Sequence, residues 1–318
     1  MIRRLPLFAV CATPYVRLRA LAAAITAVAM AVTLSCKRHE RPPREAEIWL
    51  GGDVNLGDGG HTQLQGIAAM VSGAAGIINL EGAVAPAPGA GNFVLWNSPQ
   101  AVNELADIGV RVAGIANNHA LDLDPNGPRK SMDILRALGF LPAGGPAGAA
   151  LLKINGVSIA ITAHDLTNGV PPNLQSDLVA ARRQADLLIA TFHVTGPVSY
   201  LPRPELRQAV DIAYNAGAKV IASHGAHAVG PVERRGDTVI AWGLGNVAFA
   251  CDCTEEEDAF LLRLRVKPGK VITADVLPLR AGLNNRPALP SADPDGVFDL
   301  LEAIDSAKLT RHGNSASF

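Results

Sequence analysis

Five short apolar runs, far apart in the chain, each end in a residue able to ligate a metal or carry a proton. Residues 48–50, with Val54, frame Gly51-Gly52-Asp53. Residues 77–80 lead to Glu81, 110–115 to Asn117-Asn118-His119, 187–192 to His193, and 220–222 to His224. Runs this short, rich in Val, Ile and Ala, read as buried strands. Segments with helical spacing lie between them, at 99–108, 131–138, 177–184 and 204–215, and Gly109, Gly139 and Gly217 act as stops. Such alternation specifies layers, so the predicted class is α/β rather than a bundle or a β-sandwich. Residues 150–154 and 157–162 flank Asn155-Gly156, the strongest hairpin signal present. Later strands are predicted at 239–242, 259–266 and 271–277, with a turn at Gly269, then a helix over 294–307. The sheets are therefore expected to be mixed. Composition marks 82–92 and 142–149 as loops.

The N-terminal stretch follows different rules. Residues 1–20 carry Arg3, Arg4, Arg17 and Arg19 and no acid, and the apolar run LAAAITAVAMAVTL occupies 21–34. A basic flank followed by a short apolar core is an export signal, and the run is shorter than the ~20 residues of a full span. Cys36 follows at once, as in a lipoprotein signal, whose thiol is lipidated. Thr33 and Leu34 depart from that pattern, which has leucine and a small residue there. Residues 1–36 are thus expected to be a signal, lipidated at Cys36, an uncleaved membrane anchor or an ordinary cleaved signal. The charged, proline-rich 37–46 (KRHERPPREA) is expected to be a linker, 47–310 the folded domain and 311–318 a flexible tail. The expected location is outside the cytoplasmic membrane, in the periplasm or at the cell surface. A net charge of −1 and 4% aromatic residues exclude a nucleic-acid partner, since neither a basic face nor a stacking platform is available.

In α/β sheets, sites form at the carboxyl ends of strands. Asp53, Glu81, Asn118, His193 and His224 all fall there, and His227 follows His224 on a short loop. Singly, each has an ordinary reading: Asp53 after two glycines as a turn residue, His193 as a core histidine, Asn118-His119 as a turn. Glu81 is harder to dismiss, because a buried carboxylate must be paired or ligated. A mixed set of carboxylate, amide and imidazole suits Mn, Zn or Fe better than Ca or Mg. One or two divalent ions are expected.

The order of motifs resembles the CapA family of poly-gamma-glutamate capsule proteins. The matching runs are Gly52-Asp53-Val54-Asn55-Leu56-Gly57, Asn79-Leu80-Glu81, Asn117-Asn118-His119-Ala120-Leu121-Asp122, Ser223-His224-Gly225-Ala226-His227 and Gly243-Leu244-Gly245-Asn246-Val247-Ala248-Phe249. The resemblance spans about residues 47–280. That family is similar in plan to calcineurin-like metallophosphatases, so the resemblance implies a four-layer αββα sandwich with mixed sheets flanked by helices. It also implies site roles. Asp53 and His227 would hold a first metal, Glu81 would bridge, and Asn118, His193 and His224 would hold a second. His119 would be the acid that protonates a leaving group, oriented by Asp122. Asn55 and Asn246 are auxiliary candidates; His164 matches no family position and is a further candidate only because it follows a strand, where it would line the same pocket. The sequence departs from the pattern at Asn55, where metallophosphatases have histidine, and after His193, where Val194-Thr195-Gly196 replaces Trp-Gly and a following Glu. Ala226 replaces a proline.

The implied function is synthesis, export or processing of an anionic capsule polymer by a metal-dependent hydrolase or transferase, working with a capsule synthetase or export complex. A general periplasmic metallophosphoesterase and a non-catalytic polymer-binding scaffold are the alternatives. Cys251-Asp252-Cys253 reads as two incidental thiols or a labile bridge, with a structural bridge as the alternative. Glu255-Glu256-Glu257-Asp258 reads as a solvated turn, and His61 and His312 match no motif.

Overall fold

The computed structural model describes residues 44–59, 62–87, 94–251 and 253–318. The expected signal or anchor, Cys36, His61 and most of the expected linker lie outside the described residues. Among those described, no helix is long and apolar enough to cross a membrane.

The principal strands are β1 (Ala46–Asn55), β2 (Ala75–Leu80), β3 (Val110–Gly114), β4 (Leu141–Ala143), β5 (Ala150–Ile154), β6 (Val157–Asp165) and β7 (Leu187–His193). They continue with β8 (Val220–His224), β9 (Val232–Arg235), β10 (Thr238–Ala241), β11 (Asn246–Phe249), β12 (Asp258–Lys267) and β13 (Lys270–Arg280). The principal helices are α1 (Pro99–Asn103), α2 (Gly127–Ala137), α3 (Leu174–Arg182), α4 (Pro204–Asn215) and α5 (Pro294–Ala303).

One sheet runs β13-β12-β1-β2-β3-β4, with β1 to β4 parallel and β12 and β13 antiparallel. The other runs β9-β10-β8-β7-β6-β5, parallel in its centre and antiparallel at both edges. The two inner faces form one core, in which Ile48, Leu50, Ile77 and Leu262 meet Ile159, Ile189 and Val220. Val102, Leu105 and Leu135 from the α1 and α2 regions cover the outer face of the first sheet. Leu178 of α3 with Leu206 and Val210 of α4 cover the second. The result is the expected αββα order. Leu262→Ala, at a fully buried position, would cost about 2–5 kcal/mol.

Period-two geometry places the site. Leu187 and Ile189 face the core between the sheets, while Leu188, Ala190 and Phe192 face the helices. The same parity carries His193 to the inner side. Val220 and Ala222 do likewise for His224, and Ile77 for Asn79 and Glu81. In β1 the pairing register shifts on both sides of Asp53. There the strand exchanges its antiparallel partner β12 for parallel β11. Gly52 permits this exchange: a β-carbon on it would lie 1.8 Å from the Gly245 carbonyl oxygen.

Several boundaries differ from expectation. The expected linker over 37–46 overlaps the fold, because Ala46 opens β1 and the Arg44 guanidinium donates to the Gly156 carbonyl and Asp186. Residues 311–318 are not a free tail. Strands Thr310–Arg311 and Ala316–Ser317 pair with each other, and the second pairs with β13, because that edge otherwise leaves backbone groups unpaired. The last helix stops at Ala303 rather than 307. Of the alternatives expected for Cys251 and Cys253, the structure has them bridged, with Cα atoms 5.3 Å apart. Asp258 begins β12 rather than ending a turn, and Glu256 accepts from the Tyr200 hydroxyl at 2.9 Å.

Candidate metal centre

The carboxyl ends of β1, β2, β7 and β8 bring Asp53, Glu81, His193 and His224 together at one end of the sandwich. All four are buried. The turn after β8 adds His227, whose φ of 55° is a left-handed conformation that a β-carbon disfavours. Gly225, at φ 84°, precedes it. A β-carbon at Gly225 would meet the His193 ring at 2.8 Å, so only glycine lets this turn close over the histidine.

Asp53 is the hub. Its Oδ1 accepts from Asn79 Nδ2 at 2.7 Å, and its Oδ2 accepts from the Gly225 N–H at 2.7 Å. His227 Nδ1 lies 3.6 Å from Asp53 Oδ2. His193 spans both carboxylates: Nδ1 is 3.9 Å from Asp53 Oδ1, and Nε2 is 3.9 Å from Glu81 Oε1. Its Nε2 is also 2.7 Å from Asn118 Oδ1. His119 Nε2 lies 4.0 Å from Glu81 Oε1, while its Nδ1 is 2.7 Å from Asp122 Oδ2. That Asp122 oxygen also accepts from the Leu95 N–H at 2.9 Å, which holds the pair in place.

The electrostatics of these groups are strained. Burial pushes the Glu81 carboxyl well above its ordinary value, and the neighbouring Asp53 carboxylate pushes it further. Burial also opposes charge on Asp53, but His227, His193, His224 and the Gly225 N–H outweigh it and hold the group below its ordinary value. Burial brings His193 down to about 4, and it lowers His224 as well. Glu81 Oε2 and His224 Nδ1 are buried without a hydrogen-bond partner. Such orphans are costly unless something satisfies them.

A divalent metal fits these residues. Asp53, Glu81 and His227 each offer a ligand atom, all within 4.8 Å of one another. Two inward-facing carboxylates with imidazoles beside them are a metal donor set, and the ion's charge removes the penalty that raises Glu81.

The other expected residues divide. Asn118, His119 and Asp122 stand at the mouth beside His193 and Glu81. Asn55 points away from ligation: its Nδ2 donates to the carbonyls of Glu81 and Trp96, at 3.0 and 3.1 Å. An amide there braces the β2 end, where a histidine would have ligated. Asn246 Oδ1 lies 2.9 Å from His227 Nδ1, so it positions that ring. His164 belongs to a neighbouring cleft, with its ring 6.0 Å from Phe192. His312 sits on the C-terminal hairpin, its Nε2 3.2 Å from Ser317 Oγ.

Two residues of the motif runs, to which the sequence assigned no role, brace the centre. Asn79 donates to Asp53 and lies 3.3 Å from His193 Nδ1. Asn117 donates to Asn79 Oδ1 at 3.3 Å and to the Leu80 carbonyl at 2.9 Å. The signal for Asn79 was its place two residues before Glu81 on one strand, which puts both on the same face.

The family model described as bacterial capsule synthesis protein PGA_cap matches residues 48–251. The PGA biosynthesis protein CapA of Bacillus subtilis (strain 168) is 26% identical over 208 residues, covering 58% of this chain and 54% of that protein. The capsule biosynthesis protein CapA of Bacillus anthracis is 21% identical over 236 residues, covering 66% of this chain and 57% of that protein. The chain therefore spans a little over half the length of these relatives. A hypothetical protein from Thermus thermophilus superposes with a TM-score of 0.50 at 12% identity, covering 74% of this chain and 99% of that one, a likeness of fold alone. The matched segment begins in β1 and carries every residue of the centre from Asp53 to Asn246, and on that match the chain belongs to the bacterial capsule synthesis protein PGA_cap family.

Proposed function

We propose that this chain is a metal-dependent hydrolase or transferase acting on an anionic capsule polymer of the poly-gamma-glutamate type. It holds one or two ions of Mn, Zn or Fe. It works outside the cytoplasmic membrane, attached through its N-terminal segment, alongside a capsule synthetase or export complex. The observation that carries the metal-centre reading is the convergence of ligand atoms of Asp53, Glu81 and His227 within 4.8 Å of one another, with His193 3.9 Å from both carboxylates and Glu81 Oε2 buried without a partner. The family match and the names of the two CapA relatives support the polymer.

A bound divalent ion supplies Lewis-acid polarisation and water activation near neutral pH. The side chains do the rest. Asn79 and the Gly225 N–H hold Asp53 with both oxygens aimed. Asn246 fixes His227. Asp122 at Nδ1 of His119 leaves Nε2 as the atom that faces the centre, where its proton can pass to a departing nitrogen or oxygen.

Elemental analysis of the purified chain tests the centre, compared with a His224→Ala, His227→Ala double variant. Near-stoichiometric Mn, Zn or Fe, lost in the variant, is the expected result. Turnover of phosphoesters against gamma-glutamyl amides then separates a phosphoesterase from an amide-acting enzyme. A wild-type chain that holds none of these ions after reloading would overturn the metal reading and leave a polymer-binding scaffold.

A further inference from the structure

A cleft of about 650 Å³ opens beside the metal centre, between the loop after β3, the glycine-rich turn after β4, the end of β6, and α3. It exists because β6 outruns its hairpin partner. The pairing of β5 with β6 stops at Ala150 and Ile161, so residues 162–165 present a strand edge to the cleft. Gly144 lets the turn come close: a β-carbon there would meet the Ala163 carbonyl oxygen at 2.6 Å.

Three features of the lining specify a ligand. First, it contains no Lys or Arg, but it does contain the carboxylates of Asp165 and Asp177. Asp165 Oδ1 accepts from the Thr167 N–H and Asp177 Oδ2 from Asn173 Nδ2, so each keeps its other oxygen without a hydrogen bond among the described residues. Second, two buried polar atoms in the lining lack a hydrogen-bond partner: Thr162 Oγ1, on a residue only 4% exposed, and His164 Nε2. Buried polar atoms without partners are rare in folded proteins and mark places where a ligand completes the bonding. Third, Ile115, Ala120, Pro128, Pro146 and Ala163 give the wall apolar stretches, between which Asn117, Asn173 and Gln184 add neutral amides. Two acids, two orphan atoms that are each able to accept a hydrogen bond, and apolar wall residues suit a cation that donates several hydrogen bonds from a short hydrocarbon stem. An anion would meet like charge with no donor cation to offset it.

We propose that this cleft is a binding subsite for a primary ammonium group on an aliphatic stem. It adjoins the centre through two residues. Asn117 lines the cleft and bonds Asn79, and Asp165 lies in register with His193 on the adjacent strand. A substrate carrying carboxylates and an amine can therefore reach both places. Two sources share the chemistry: the free amino end of a gamma-linked polymer, and a separate aliphatic amine.

The test uses the full chain stripped of metal, so that its outcome does not depend on the metal reading. Backbone amide shifts of residues 144–148 and 174–182 are followed by NMR while n-butylammonium or n-butyrate is added. Saturable shifts with n-butylammonium and none with n-butyrate are expected. Asp165→Asn and Asp177→Asn should each weaken binding about ten-fold. Asp177 is on an exposed helix face, so its variant folds normally. Equal or tighter binding of n-butyrate, no shift with n-butylammonium up to about 50 mM, or unchanged affinity in both variants would overturn the proposal. In a second arm, gamma-glutamylglutamate competes with n-butylammonium. Displacement that is lost on acetylating its amino group supports the polymer end as occupant, and no displacement supports a free amine.

Discussion

Glu81→Gln separates what the buried carboxylate costs from what it is for. The side chain is 1% exposed, its Oε2 has no partner, and Asp53 stands beside it. Glutamine keeps the shape and removes the charge. Without metal the wild type is destabilised by a group whose folded pKa is raised. Such a group costs nothing well below its ordinary value of 4.5 and progressively more as pH rises through the folded value. The metal-free variant should therefore be more stable than metal-free wild type at pH 8, by about 1–3 kcal/mol. That corresponds to a rise in Tm of about 2–8 °C for a domain of this size. With metal the order should reverse. An ion at 100 times its Kd stabilises wild type by about 2.7 kcal/mol, and the variant should gain almost none of that. Scanning calorimetry with chelator and then with Mn or Zn reads all four values. A variant less stable than wild type in chelator would refute the electrostatic reasoning, and one with the full metal-induced shift would refute Glu81 as a ligand.

Asp122→Asn and His119→Ala should each lower turnover by about 10²–10⁴ with metal content unchanged, read by steady-state kinetics beside elemental analysis. Lost metal in either would place these residues in structure rather than proton transfer. Asn246→Ala should weaken metal affinity about 10–100-fold by freeing His227, measured by chelator competition. His193 has a folded pKa of about 4, below its ordinary 6.5, so it supports stability fully above pH 6.5 and progressively less as pH falls toward 4. Metal-free protein should lose about 3 kcal/mol across that window. Denaturant unfolding in the Glu81→Gln background removes the opposing contribution of Glu81, and His224, lowered by burial in the same way, adds to the loss with the same sign.

The local order of the chain was legible from its residues. Each apolar run is long enough to bury a strand, and glycine follows the helical segments at 99–108, 131–138 and 204–215, so the α/β class and the α4 limits follow from spacing alone. The strand-end position of Asp53, Glu81, His193 and His224 was visible for the same reason. Strand β11 was not predicted as a strand, because its four residues follow a glycine-rich motif and its pairing with the end of β1 is a long-range contact. The C-terminal hairpin was missed because its strands are two residues each and gain order only against β13.

Which strand ends meet was decided by tertiary structure. The switch of β1 from β12 to β11, permitted by Gly52, turns Asp53 into the gap between the sheets. Only there does it meet the Gly225 N–H, 172 positions later in sequence. Asn55 carries the residue type of a ligand, but its amide is used up bracing two carbonyls. The sequence by itself determined which side chains arrive at a strand end and on which face, because a two-residue period is a local property. Their distances, their burial and the acidic cleft beside them follow from how the two sheets pack, and no local pattern encodes that.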